Sequence, residues 1–100
     1  MKIILSTVVL GLALNAGVQA SEELAKAKNC LTCHSAERKI VGPSYKEITA
    51  KRAGDKGAEA ALAAKIQNGS KDEWGKVPMP ANQVTAAEAA TLAKWVLSHK

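Results

Sequence analysis

The chain has only two cysteines, Cys30 and Cys33, and His34 directly follows the second in the stretch "CLTCH". On a helix this spacing puts both sulfurs on one side, one turn apart, at a rise of about 4.5 Å. The neighbouring imidazole is free to turn the same way. Whatever fold the chain adopts must therefore present two thiols and one nitrogen base side by side on one short segment.

The compartment decides what such thiols can do, and the first twenty residues speak to it. Lys2 is followed by an apolar run from Ile3 through Leu14 and then by "NAGVQA", with small residues Val18 and Ala20 flanking Gln19. A charged start, a short apolar stretch and a small-residue end describe a secretory signal cleaved after Ala20. The segment is short for a membrane span, contains Gly11, Asn15 and Gly17, and lacks a stop-transfer flank. No cysteine follows it to carry a lipid anchor. Residues 1–20 are thus expected to be a signal peptide and residues 21–100 one domain, exported to an oxidising compartment, the periplasm.

Those 80 residues leave little for a core. They contain no Phe, one Tyr and two Trp, while alanine fills 16 positions. A core of this size supplies only about 3–5 kcal/mol, so a bound apolar cofactor is expected to supplement it. Removing Lys2 leaves 13 Lys plus Arg against nine Asp plus Glu, a formal charge of +4. The basic residues are interspersed with acids, which gives nucleic-acid binding no support and suits an acidic protein partner.

Local signals are helical throughout. "SEELAKAKN" carries a cap candidate at Ser21, acids in its first turn and lysines in its last, and is expected to run as a helix into Cys30. Gly42-Pro43 breaks the chain, and Ser44-x-x-Glu47 is a capping box opening a helix to about Arg52. "AEAALAAKIQNG" is a helix stopped by Asn68 and Gly69. Residues 69–84, with two glycines and two prolines, form a long loop of the kind that carries function. Thr85-x-x-Glu88 opens the last helix, whose Ala89, Leu92, Ala93 and Val96 share a face. No alternating β-branched run and no internal repeat occurs, so the fold is expected to be all-α.

"CLTCH" fits the attachment signal for haem c: each thiol adds to a vinyl group and the imidazole reaches the iron. Three other uses compete. A thioredoxin-like pair calls for a βαβ pattern, which is absent; a zinc site needs four ligands, for which only these three residues and His99 are at hand; a plain disulfide leaves the histidine without a role. For the iron's other face the candidate is Met79, the only methionine besides Met1, held between Pro78 and Pro80 in a polar loop. An isolated methionine is usually a core filler, but this one lacks a helical partner spacing. His99, next to last in the chain, is expected to interact with helix carbonyls instead.

Taken in order, "NCLTCH", "VGPSYKEI", "KIQNGS", "WGKVPMPANQV" and "TLAKWVLSHK" resemble the class I bacterial cytochromes c, in particular the small periplasmic c-551/c-552 group. The resemblance implies a cytochrome c fold, four or so short helices around one covalently bound haem c. It also implies site roles: Cys30 and Cys33 as thioethers, His34 and Met79 as axial ligands, and the Pro43 carbonyl as acceptor of the His34 Nδ1–H. Trp74 would bond a haem propionate, Asn82 would bond the Met79 sulfur, and Lys65 would stand near a propionate. Trp95 and Val96 would pack the last helix on the first.

The expected function is that of a soluble monomeric one-electron carrier, not an enzyme, since two axial ligands leave no vacant site on the iron. Its transient partners would be a donor such as a respiratory complex and an acceptor such as a nitrite reductase or terminal oxidase. They would meet it at a small haem-edge patch near Cys30, Leu31 and residues 78–81, ringed by lysines such as Lys26 and Lys76. The competing reading is a haem enzyme or gas sensor in which Met79 is displaced. No nucleic acid and no stable membrane insertion is expected.

Overall fold

The two capping boxes do form, and they set where the helices beginning at Tyr45 and Ala86 start. In the computed structural model, which describes residues 21–100, Ser44 Oγ accepts from Glu47 N at 3.0 Å and Glu47 Oε1 accepts from Ser44 N at 3.1 Å. Thr85 and Glu88 repeat the exchange at 3.1 and 2.9 Å. Each box satisfies N–H groups that the first helical turn would otherwise leave without partners. The expected signal segment, residues 1–20, lies outside the described residues.

Among the described residues five helical stretches follow one another: α1 over residues 21–27, α2 Cys30–Cys33, α3 Tyr45–Lys51, α4 Ala58–Asn68 and α5 Ala86–Val96. Among the described residues there is no strand, only two isolated bridges. The helix expected to run into Cys30 is interrupted. Asn29 takes a left-handed backbone, φ 63°, which Asn tolerates better than most residues, and the cysteines occupy a separate turn behind it. Ser21 is already helical and so does not act as the cap. α4 stops where expected, at Gly69 with φ 89°.

α5 packs on both α4 and α3. Ala25 of α1 and Ala89 and Ala93 of α5 have no exposed surface, and they share one cluster with Leu92 and Ile66. Small side chains here let helix surfaces approach closely. The expected contact of the last helix with the first holds for Trp95 but not for Val96. Ala89, Leu92 and Ala93 meet Ala25, whereas Val96 joins Tyr45 and Ile48 of α3, with Trp95 bordering both groups.

The 69–84 loop is tied back at two places. Met79 N donates to Ser70 O at 2.7 Å and Ser70 N to Met79 O at 3.0 Å; Asn82 donates to Ile66 O from its backbone at 3.1 Å and its side chain at 2.9 Å. Among the described residues no helix is long and apolar enough to cross a membrane.

Candidate haem site

A largely apolar cleft of about 1060 Å³, counted out to where it opens to solvent, lies between α2, the 41–45 segment, the 69–84 loop, α4 and α5. Cys30, Cys33, His34 and Met79 all line it. The tertiary structure thus brings together the four residues that the sequence singles out for covalent attachment and iron ligation.

His34 is oriented from three sides. Its Nδ1 lies 2.7 Å from the carbonyl oxygen of Pro43. A carbonyl has no proton to give, so Nδ1 must be the donor and Nε2 keeps the lone pair. Tyr45 stacks on the ring, centroids 5.6 Å apart and planes inclined by 26°. Gly42 supplies room: a Cβ there would stand 2.5 Å from His34 Cε1 and 2.9 Å from Nδ1. Gly42-Pro43 reads in sequence as a chain break, but its first residue is required because the imidazole occupies the space a side chain would take.

Cys30 and Cys33 are both half-buried and are not joined to each other. Burial pushes the Cys30 thiol up, with a smaller rise from neighbouring Cys33. Among the described residues no three His, Cys, Asp or Glu side chains gather as a metal-holding group, so the four-ligand zinc alternative is not assembled. His99 Nδ1 lies 3.0 Å from Val96 O at the end of α5, the helix-carbonyl contact expected, but its ring packs on Tyr45 and Trp95 instead of standing in solvent.

Trp74 lines the cleft, with Lys51 Nζ 4.5 Å from its ring centroid. Asn82 holds the loop that carries Met79. Its side-chain N–H groups go to Ile66 O at 2.9 Å and Pro80 O at 3.4 Å, so it fastens that loop to the end of α4. Lys65 also lines the cleft, but it bonds Glu73.

Sequence reasoning missed two clusters. Glu73 gathers Arg52 at 2.7 Å, Lys51 at 3.4 Å and Lys65, cations from α4 and from the end of α3. The Lys65 hydrogen bond, helped by Lys51 and Arg52, holds its carboxyl below the ordinary carboxylate range against the opposing effect of burial. The second cluster is aromatic: Tyr45 contacts Trp95 at 5.1 Å and His99 at 5.0 Å, and Trp95 meets His99 edge-on at 4.7 Å. The Tyr45 hydroxyl is buried without a partner, and burial, with a smaller push from nearby Cys30, holds it far above the ordinary phenol range. No local spacing links these residues; only the helix packing does.

An apolar cleft that carries two thiols, one imidazole lone pair and one thioether sulfur, with cations at its rim, fits an iron porphyrin bearing acid side chains. The donor set, a nitrogen and a soft sulfur, is one that iron in a haem accepts. The site and the helical fold define a c-type haem protein. The sequence model of the family described as cytochrome c matches residues 18–100. The chain belongs to the cytochrome c family, in its c-551/c-552 group. It is 55% identical over 82 residues to cytochrome c-551 of Azotobacter vinelandii, covering 82% of this chain and all of that one. With cytochrome c-552 of Hydrogenobacter thermophilus it shares 48% identity over 101 residues, the full length of both. The crystal structure of wild-type Nitrosomonas europaea cytochrome c552 superimposes with a TM-score of 0.76 at 48% identity, covering 79% of this chain and 99% of that one. The protein is accordingly a small monohaem cytochrome carrying one covalently bound haem c; it transfers electrons and is not an enzyme.

Proposed function

We propose that Cys30 and Cys33 hold the haem as thioethers, that His34 Nε2 and the Met79 sulfur are its axial ligands, and that residues 1–20 direct the protein to the periplasm. There it shuttles single electrons as a soluble monomer, from a donor such as a respiratory complex to an acceptor such as a nitrite reductase or terminal oxidase. The observation that carries the reading is the 2.7 Å contact of His34 Nδ1 with Pro43 O. It fixes the tautomer, leaves Nε2 as the only lone pair of the ring, and strengthens that nitrogen as a donor.

When bound, the haem supplies a one-electron Fe(II)/Fe(III) couple. The chain's part is to hold both ligands so that neither moves between the two states. Tyr45 and Gly42 keep the imidazole in place, and the paired bonds to Ser70, with Pro78 and Pro80 on either side, keep Met79 in place. A thioether favours the softer ferrous iron and raises the potential. Trp74, which lines the cleft, would offer its indole N–H to a haem carboxylate as a charge-assisted bond.

The lips of the cleft suit brief contact with other proteins. Val77 is 67% exposed and Val41 49%, and both line the opening, with Ile40 beside them. Lys39 and Lys76 are exposed next to these residues in the chain, and the exposed Lys71 lines the cleft. A small apolar patch among lysines favours fast, weak association with an acidic partner. Lys26, by contrast, lies 4.0 Å from both Glu22 and Glu23 on α1.

The test is an optical spectrum of the haem-loaded protein in both oxidation states, with carbon monoxide added to the reduced form. The reading requires a low-spin ferrous spectrum unmoved by carbon monoxide and a far-red sulfur-to-iron band in the ferric state. A spectrum that shifts with carbon monoxide would refute Met79 ligation.

A further inference from the structure

We propose that Glu73 is a positioning residue for electron transfer: it collects Lys51, Arg52 and Lys65 at the rim of the cleft and thereby lowers the reduction potential of the bound haem. The inference rests on the reading that the haem occupies this cleft. One carboxylate faces three cations: Oε1 takes Arg52 Nη2 at 2.7 Å and Lys51 Nζ at 3.4 Å, and Oε2 takes Lys65 Nζ. Lys65 also reaches Ser70 Oγ at 3.5 Å, the residue paired with Met79. Arg52 has a second acid, Asp55, at 3.6 Å, on a side chain that is 46% exposed.

Glu73 is unlike the other carboxylates of the chain. Its side chain is only 16% exposed, and both it and Lys65 line the cleft beside Trp74. A charge so placed is screened weakly by solvent and salt. A nearby anion stabilises the more positive, ferric state of the cofactor; uncompensated cations disfavour it. Removing Glu73 both deletes the anion and frees the cations, and the two changes have the same sign. Glu73 therefore acts, by offsetting these cations, as a counterweight to the thioether ligand, which pushes the potential up.

The experiment is potentiometry on haem-loaded Glu73→Gln, Lys65→Gln and the double variant, with Glu59→Gln as an equal change in net charge at an exposed position. Glu73→Gln is expected to raise the ratio of reduced to oxidised protein at a fixed solution potential by at least about threefold, as a unit charge acting across a partly shielded site does. Lys65→Gln should shift it the opposite way, and the double variant should return towards wild type. The Glu73 effect should persist at about 1 M salt, where that of Glu59→Gln disappears. A Glu73→Gln shift no larger than that of Glu59→Gln, or a downward one, overturns the proposal. Should Glu73→Gln fail to load haem, an unchanged or raised potential in Lys65→Gln overturns it equally. The far-red sulfur-to-iron band separates the two levels: its absence from wild type overturns the site reading and this inference together, whereas its presence with no potential shift overturns only the role of Glu73.

Discussion

Gly42→Ala is the sharpest perturbation the structure offers, because the added methyl group has nowhere to go. Its carbon would stand 2.5 Å from His34 Cε1 and 3.2 Å from Nε2. Non-bonded carbons settle about 3.5–4.0 Å apart, so the ring must retreat by roughly 1 Å. A displacement of that size carries Nδ1 beyond hydrogen-bonding range of Pro43 O, from which it now lies 2.7 Å. Losing that bond costs about 1 kcal/mol, and forcing a carbon into a filled site adds about 1–3 kcal/mol. Together they amount to about 2–4 kcal/mol, which lowers the melting temperature of a domain this small by about 10–25 °C. Thermal unfolding of the haem-loaded variant, followed by far-ultraviolet circular dichroism, reads this directly. Gly57→Ala is the control, since a Cβ there meets only Asp55 Oδ1 at an ordinary 3.5 Å. A second readout is the reduction potential: a weaker Nδ1–H bond makes His34 a poorer donor to ferric iron, so the potential should rise. If Gly42→Ala melts no earlier than Gly57→Ala, the argument that the imidazole fills the glycine's space is wrong.

Leu92→Ala should cost about 2–5 kcal/mol in urea unfolding, because Leu92 is 2% exposed in the core shared with Ala25 and Ile66; a loss under about 1 kcal/mol would mean the site collapses freely. Ser44→Ala should cost about 1 kcal/mol and lower the melting temperature by about 4–8 °C, through loss of the bond to Glu47 N. Glu73 has a depressed folded pKa, so its stabilisation is full above the ordinary carboxylate range, near about 4.3, and is lost as pH falls through the folded value. Urea midpoints from about pH 6 to about pH 3 should therefore fall less steeply in Glu73→Gln than in wild type, and equal slopes would contradict the ion-pair account. Stopped-flow electron transfer to an acidic redox partner should slow as ionic strength rises; a rate indifferent to salt would count against the lysine-flanked patch.

Much of the site is legible in the chain because its signals are local. Two thiols at helical spacing with an adjacent imidazole, one methionine between two prolines, and two capping boxes each occupy a handful of consecutive residues, and the chemistry follows from the residue types. Helix ends were readable for the same reason. The break at Asn29 was not, since an Asn in a left-handed backbone looks no different in sequence from one inside a helix. The Asn82 amide could be read as a sulfur partner only by resemblance; its bonds to Ile66 O and Pro80 O depend on where the loop returns to α4.

The sequence by itself determined that the chain is helical, where most helices begin and end, and which four chemically distinctive residues the cleft gathers. The tertiary structure alone decided that Gly42 is room for an imidazole, that α1 meets α5 through alanines, that Tyr45 joins His34 to Trp95 and His99, and that three cations from two helices share Glu73. The physical reason is range. Capping and covalent attachment act between neighbours a few bonds apart, whereas steric room and charge pairing depend on which surfaces the packed helices bring within a few ångströms of each other.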